Sequence, residues 1–207
     1  MTMKIVVSYL LILFFPISIL AQDEILSKPS KNQYGFHFGI NYPNLLYNNK
    51  LSDNTKVENN LGYSIGISGN YRVSPILVLV PKAELSFNGG ALNFYKADVL
   101  LQKYEVAPIT INTMFHARFN KEKSVGFQYF FVGPNVMIPL TSNQLSSSFD
   151  TKTNLAFDLG IGWNQPTKHF NFLPELKYSM GLVNINKNPA IQSLKLHTIS
   201  LVLNFMG

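Results

Sequence analysis

The stretch Asn154-Leu155-Ala156-Phe157-Asp158-Leu159-Gly160-Ile161-Gly162-Trp163-Asn164 decides the fold. Leu155, Phe157, Leu159, Ile161 and Trp163 fall on one side of an extended chain. Asn154, Ala156, Asp158, Gly160, Gly162 and Asn164 fall on the other. A period of two marks a strand with one apolar and one polar face.

Working outward, the same alternation returns seven more times. Tyr34, Phe36, Phe38, Ile40 and Tyr42 form the apolar face of a first strand, and Leu61, Tyr63, Ile65, Ile67, Tyr71 and Val73 that of a second. A third strand runs from Ile76 to Phe87. A fourth runs from about Tyr104 to Phe119, with Ile109, Ile111 and Phe115 on its apolar face. The fifth begins with Val125, Phe127, Tyr129 and Phe131 on its apolar face, and loses its alternation near Gly133 and Pro134, which predicts a bulge or a re-aimed strand. After the sixth, quoted above, a seventh places Phe170, Phe172, Pro174, Leu176, Tyr178 and Met180 together. The eighth ends with Ile199, Leu201, Leu203 and Phe205 on one face.

The connections carry independent information. Those after strands two, four and six are short: Ser74–Pro75, Asn120–Ser124 and Pro166–His169. Pro43–Asn60, Asn88–Lys103, Thr141–Lys152 and Val183–Ser193 are longer and draw on Asn, Ser, Gly and Pro. Alternating short and long connections are the mark of a membrane barrel with short periplasmic turns and longer external loops. An inside-out alternative, a soluble lipocalin-like barrel, would need a water-facing surface rich in Lys and Glu. The polar faces here are instead mostly Gly, Ser and Asn. The predicted fold is therefore all-β: an eight-stranded antiparallel up-and-down transmembrane β-barrel after an N-terminal signal peptide.

The first residues fix the compartment. A single lysine, Lys4, precedes the apolar Ile5–Leu20, and Ala21 follows, the pattern of a secretory signal cleaved after Ala21. The expected organisation is a signal peptide over 1–21, a short linker over 22–32 and the barrel over 33–207. Only 14% of residues are charged, which suits a chain that meets lipid. With no cysteine, disulfides, thiolate metal sites, a Cys nucleophile and a lipid-modified cysteine are all excluded. The net charge of +6 is scattered, with no basic face for nucleic acid. The expected partners are outer-membrane lipid and lipopolysaccharide.

Counting strand rise from the short turns puts Lys82, Glu84, Asp158, Glu175 and Lys177 at one height inside the barrel. Strands three and seven lie opposite each other in a ring of eight, so these residues are expected to form an ion-pair network that plugs the lumen. Arg72, His116 and Arg118 are expected as polar residues of the lower lumen. Glu84 and Glu175 could be imagined as a glycosidase acid–base pair, but interleaved lysines explain them more simply. His37, His116, His169 and His197 lack metal-ligand spacing. Ser146, Ser147, Ser148 and Asp150 share a long loop and read as loop chemistry. Gly35, Gly39, Gly62, Gly66, Gly160 and Gly162 recur at even spacing and precede no helix, unlike a phosphate cradle. No catalytic site, cofactor or metal is expected.

Three further stretches carry a resemblance: Val80-Pro81-Lys82-Ala83-Glu84-Leu85-Ser86-Phe87, Leu173-Pro174-Glu175-Leu176-Lys177-Tyr178-Ser179-Met180-Gly181-Leu182, and Ser193-Leu194-Lys195-Leu196-His197-Thr198-Ile199-Ser200-Leu201. With their Pro-Glu-Leu strand motif and closing strand, they make the chain resemble the PorT family of outer-membrane barrels, associated with type IX secretion. The resemblance implies a nonenzymatic barrel that supports protein secretion through contacts with other secretion-machinery proteins. The alternative is a small outer-membrane binding or adhesion barrel with no secretion role.

Overall fold

The computed structural model describes residues 32–48, 55–97, 99–121, 128–140, 148–187 and 193–207. The expected signal peptide, most of the linker, and Val125 and Phe127 of the fifth predicted strand lie outside the described residues. The elements are β1 (Asn32–Asn48), β2 (Thr55–Arg72), β3 (Leu77–Lys96), β4 (Val99–Val106), β5 (Ile109–Asn120), β6 (Tyr129–Pro139), β7 (Ser148–Phe149), β8 (Asn154–Gly162), β9 (Gln165–Pro166), β10 (Asn171–Gly181) and β11 (Ser193–Met206).

Eight of these are the staves of a closed barrel. β1, β2, β3, β5, β6, β8, β10 and β11 pair with their neighbours in that order, all antiparallel. β11 then pairs with β1, from Gly35↔Met206 to Asn48↔Ser193, and the wall has no edge left along this height. The short turn after β2 is fixed by Ser74, whose hydroxyl accepts from the Leu77 amide at 3.0 Å.

The direction of the faces separates a membrane barrel from its inside-out alternative. On β1, His37 is 0% exposed and Phe38 is 46% exposed. Tyr34, Phe36, Ile40 and Tyr42 likewise point out, whereas Asn41 is buried. A continuous apolar belt of this kind is not stable against water and requires lipid. Aromatic pairs reinforce its rims: Tyr34–Tyr71 edge to face at 5.9 Å, Phe119–Phe130 stacked at 4.9 Å, and Tyr63–Phe87 stacked at 4.7 Å toward the opposite rim.

Three expectations need correction. First, much of Pro43–Asn60 and Asn88–Lys103 is strand, because β1 to β4 extend beyond the apolar belt. A register shift against β3 between Asn60 and Tyr63 marks where β2 leaves the belt, and Ala107, at a positive φ of 45°, turns the corner between β4 and β5. Polar loop-forming residues were compatible with strand here because their backbone groups pair with one another.

Second, Gly133 and Pro134 make no bulge. The pairing of β6 with β8 runs unbroken from Tyr129↔Gly162 to Met137↔Asn154. Gly133 is needed for a close approach instead: a Cβ there would stand 2.0 Å from the Phe115 carbonyl oxygen. Third, Tyr129 and Phe131 face the lumen, not lipid, and each is 1% exposed. Phe130, Val132 and Val136 take the outward positions. Both faces of β6 are apolar, and alternation in sequence could not choose between them.

Candidate functional site

The barrel interior is stacked in three layers. Nearest the short turns, Tyr129, Phe131, Leu173 and Met206 form an apolar cluster. The Arg118 guanidinium lies 5.0 Å from the Tyr129 ring centroid, a cation–π contact that holds the cation where water is scarce.

Above it sits the charged layer, which brings together Lys82, Glu84, Asp158, Glu175 and Lys177. Lys82 Nζ reaches across the barrel from β3 to β10 and meets Glu175 Oε2 at 2.6 Å. It also donates to Asn204 Oδ1 at 3.0 Å, while Tyr129 Oη donates to Glu175 Oε1 at 3.1 Å. Lys177 Nζ stands between two carboxylates, 3.8 Å from Glu84 Oε1 and 3.9 Å from Asp158 Oδ2. His37 Nε2–H donates to Glu84 Oε2 at 3.1 Å, and Asn112 and Ser86 donate to Glu84 Oε1. His116 Nε2–H donates to Asp158 Oδ2 at 3.0 Å, with Asn135 donating to both Asp158 oxygens. Three carboxylates thus face Lys82, Lys177 and nearby Arg118. Taking so many charges out of water is tolerable only because nearly every oxygen has a cation or a donor.

The third layer closes the other end. Leu45, Leu92, Val106, Met137, Ala156, Ile185, Leu194 and Leu196 form a buried apolar cluster, with Tyr47, Phe94, Tyr104 and Val183 packed against it. The charged layer therefore lies between two apolar plugs. An eight-stranded barrel has room for side chains only, and here they fill it.

Of the remaining expected lumen residues, His116 belongs to the charged layer and Arg118 to its lower edge. Arg72 pairs with the inward-facing Val78 and is exposed at the rim, where β2 ends. From sequence, His37 is weighed only as a metal ligand, and Asn112 and Asn204, which lie on polar strand faces, are not singled out, nor is Asn135, which lies among apolar residues of β6. Tyr129 and Phe131 line the lumen, although alternation in sequence predicts them on the lipid face. Among the described residues, no group of three His, Asp or Glu side chains is arranged to hold a metal ion. Ser146 and Ser147 lie outside the described residues, and Asp150 is bound by Lys187 Nζ at 2.8 Å.

Beyond the belt, β2, β3 and β4 continue as a three-stranded extension, paired Thr55↔Phe94 to Asn60↔Gly89 and Ala91↔Glu105 to Lys96↔Val99. One face of it, with Leu92, Phe94, Tyr104 and Val106, lies on the upper plug. The outer face centres on Glu58, which accepts from Asn60 at 2.7 Å, Asn93 at 2.8 Å and Lys103 at 3.0 Å.

Hydrogen bonds from Asn93, Lys103 and Asn60 hold the Glu58 carboxyl down to about 2. A depressed carboxyl contributes stability that is present above its ordinary value of 4.5 and is lost as pH falls toward 2. Hydrogen exchange of the β3–β4 amides should accordingly accelerate between pH 4.5 and 2. Glu58→Gln should remove that dependence; an unchanged profile in the variant would show that another group controls the extension.

No curated protein matches the chain. Among solved structures, the chain is similar to Ail, the attachment invasion locus protein of Yersinia pestis, in complex with the heparin analogue sucrose octasulfate. That likeness has a TM-score of 0.45 at 12% identity, over 86% of this chain and 99% of Ail. It is also similar to the outer membrane protein OprG from Pseudomonas aeruginosa, with a TM-score of 0.43 at 14% identity, over 85% of this chain and 92% of OprG. The family model for the outer membrane protein beta-barrel domain matches residues 20–187, most of the chain. The closed eight-stave wall, its lipid-facing belt and that match agree: the chain belongs to the outer membrane protein beta-barrel domain family, proteins of the bacterial outer membrane.

Proposed function

We propose that this protein is a nonenzymatic barrel that works through its surfaces and supports type IX protein secretion, as its resemblance to the PorT family implies. The observation that carries the surface reading is the filled lumen: a passing chain would have to displace two apolar plugs and the charged layer between them. The contact surface is the β2–β3–β4 extension, and its partners are secretion-machinery proteins.

A photo-crosslinking residue at Leu101 tests this. Recovery of other secretion components supports the proposal; normal secretion of signal-bearing cargo after gene deletion overturns it. A second reading, adhesion to an external ligand, is favoured by the exposed run Val99, Leu100 and Leu101, of which Val99 is 64% and Leu101 63% exposed, with Lys96 and Lys103 at its ends. Crosslinks to lipopolysaccharide or an external ligand alone would favour that reading.

A further inference from the structure

A groove of about 470 Å³ lies on the outer wall where β1, β2 and β3 meet, bounded by Tyr34, Ile67, Gly69, Tyr71, Pro81 and Ala83. We propose that it is a phospholipid site of the periplasmic leaflet, with one acyl chain lying along Ile67, Pro81 and Ala83 against the Tyr34 and Tyr71 rings that cover Gly69.

The groove arises from side-chain size. Outward positions on β2 read Leu61, Tyr63, Ile65, Ile67, Gly69 and Tyr71, so a glycine interrupts a row of large residues. Ile67 pairs with Ala83, and the same register sets Gly69 across from Pro81. Three small or ring-closed residues therefore adjoin on a face otherwise built of Phe, Ile, Leu and Tyr. Pairing is also interrupted here: the register runs to Ser68↔Lys82 and resumes, unshifted, at Tyr71↔Leu79. Pro81 has no N–H to give to the ladder.

What fills this concavity follows from where it lies. It is inside the belt that lipid covers, on the side of the short turns, so the covering molecule is a lipid of the periplasmic leaflet. A dry apolar concavity loses dispersion contacts unless a flexible hydrocarbon enters it. From Ile67 to Tyr71 the strand advances about 13 Å at ~3.3 Å per residue, the length of a substantial part of an acyl chain. Tyr34 and Tyr71 stand at the periplasmic end of the groove. Their rings are apolar and their hydroxyls polar, which suits the boundary where chain meets glycerol ester and phosphate. This site depends on the barrel sitting in a bilayer and not on either reading of its partners.

The test is native mass spectrometry of the detergent-solubilised, delipidated full-length protein titrated with phosphatidylglycerol or phosphatidylethanolamine. One lipid should be retained per barrel. Ala83→Phe, which fills the groove from β3, should lower retention at least tenfold, whereas Val136→Phe on the distant β6 wall should not. Unboiled gel mobility keeps the comparison to folded barrels. Absence of a retained lipid on the parent protein would overturn the proposal. So would equal loss in both variants, or equal retention in both, because either result describes nonspecific annular lipid.

Discussion

Replacing Lys82 with methionine is expected to destabilise the barrel by about 3–5 kcal/mol, the range for removing one partner of a buried ion pair. Methionine keeps much of the apolar stem, so the loss reports charge and not packing. Glu175 Oε2 would lose a donor at 2.6 Å and would be left in an interior where no solvent replaces it. Adding Glu175→Gln removes the stranded charge while keeping an oxygen for Tyr129, and the double variant should recover part of the loss. Urea unfolding from lipid vesicles, followed by the single tryptophan and by unboiled gel mobility, measures both. A Lys82→Met cost below about 1 kcal/mol would mean that water reaches the charged layer.

Gly133→Val is the second large effect, and it acts through the backbone. The added Cβ would stand 2.0 Å from the Phe115 carbonyl oxygen and 2.9 Å from His116 Cα. Neither can rotate away, so β5 and β6 would have to part beside the Asp158–His116 contact. A cost of about 3 kcal/mol or more is expected, with little compact species on unboiled gels. Gly69→Ala is the contrast. Its Cβ would meet the Tyr71 ring at 3.0 Å and the Tyr34 ring at 3.6 Å, and side chains can yield. It should fold with nearly unchanged stability; similar losses at both glycines would show that glycine content, and not the β5–β6 approach, is what matters.

The legible part of this protein was the wall. Alternation at Tyr34–Tyr42 and Leu155–Trp163 depends only on which neighbours in sequence share a face, and short turns such as Ser74–Pro75 depend on local hydrogen bonds. Those features determined strand number, strand order and the height at which Lys82, Glu84, Asp158, Glu175 and Lys177 meet. Tertiary structure decided the rest. On β6 both faces are apolar, and only pairing with β5 and β8 turns Tyr129 and Phe131 inward. The upper plug joins Leu45, Leu92, Ile185 and Leu194 from distant segments, and no local pattern marks them as neighbours. The extension of β2 to β4 past the lipid belt was likewise hidden, because Asn- and Gly-rich segments become strand only when another strand satisfies their backbone groups. Sequence periodicity determines what one strand does about its own axis; closure and packing across the lumen are set by contacts between strands.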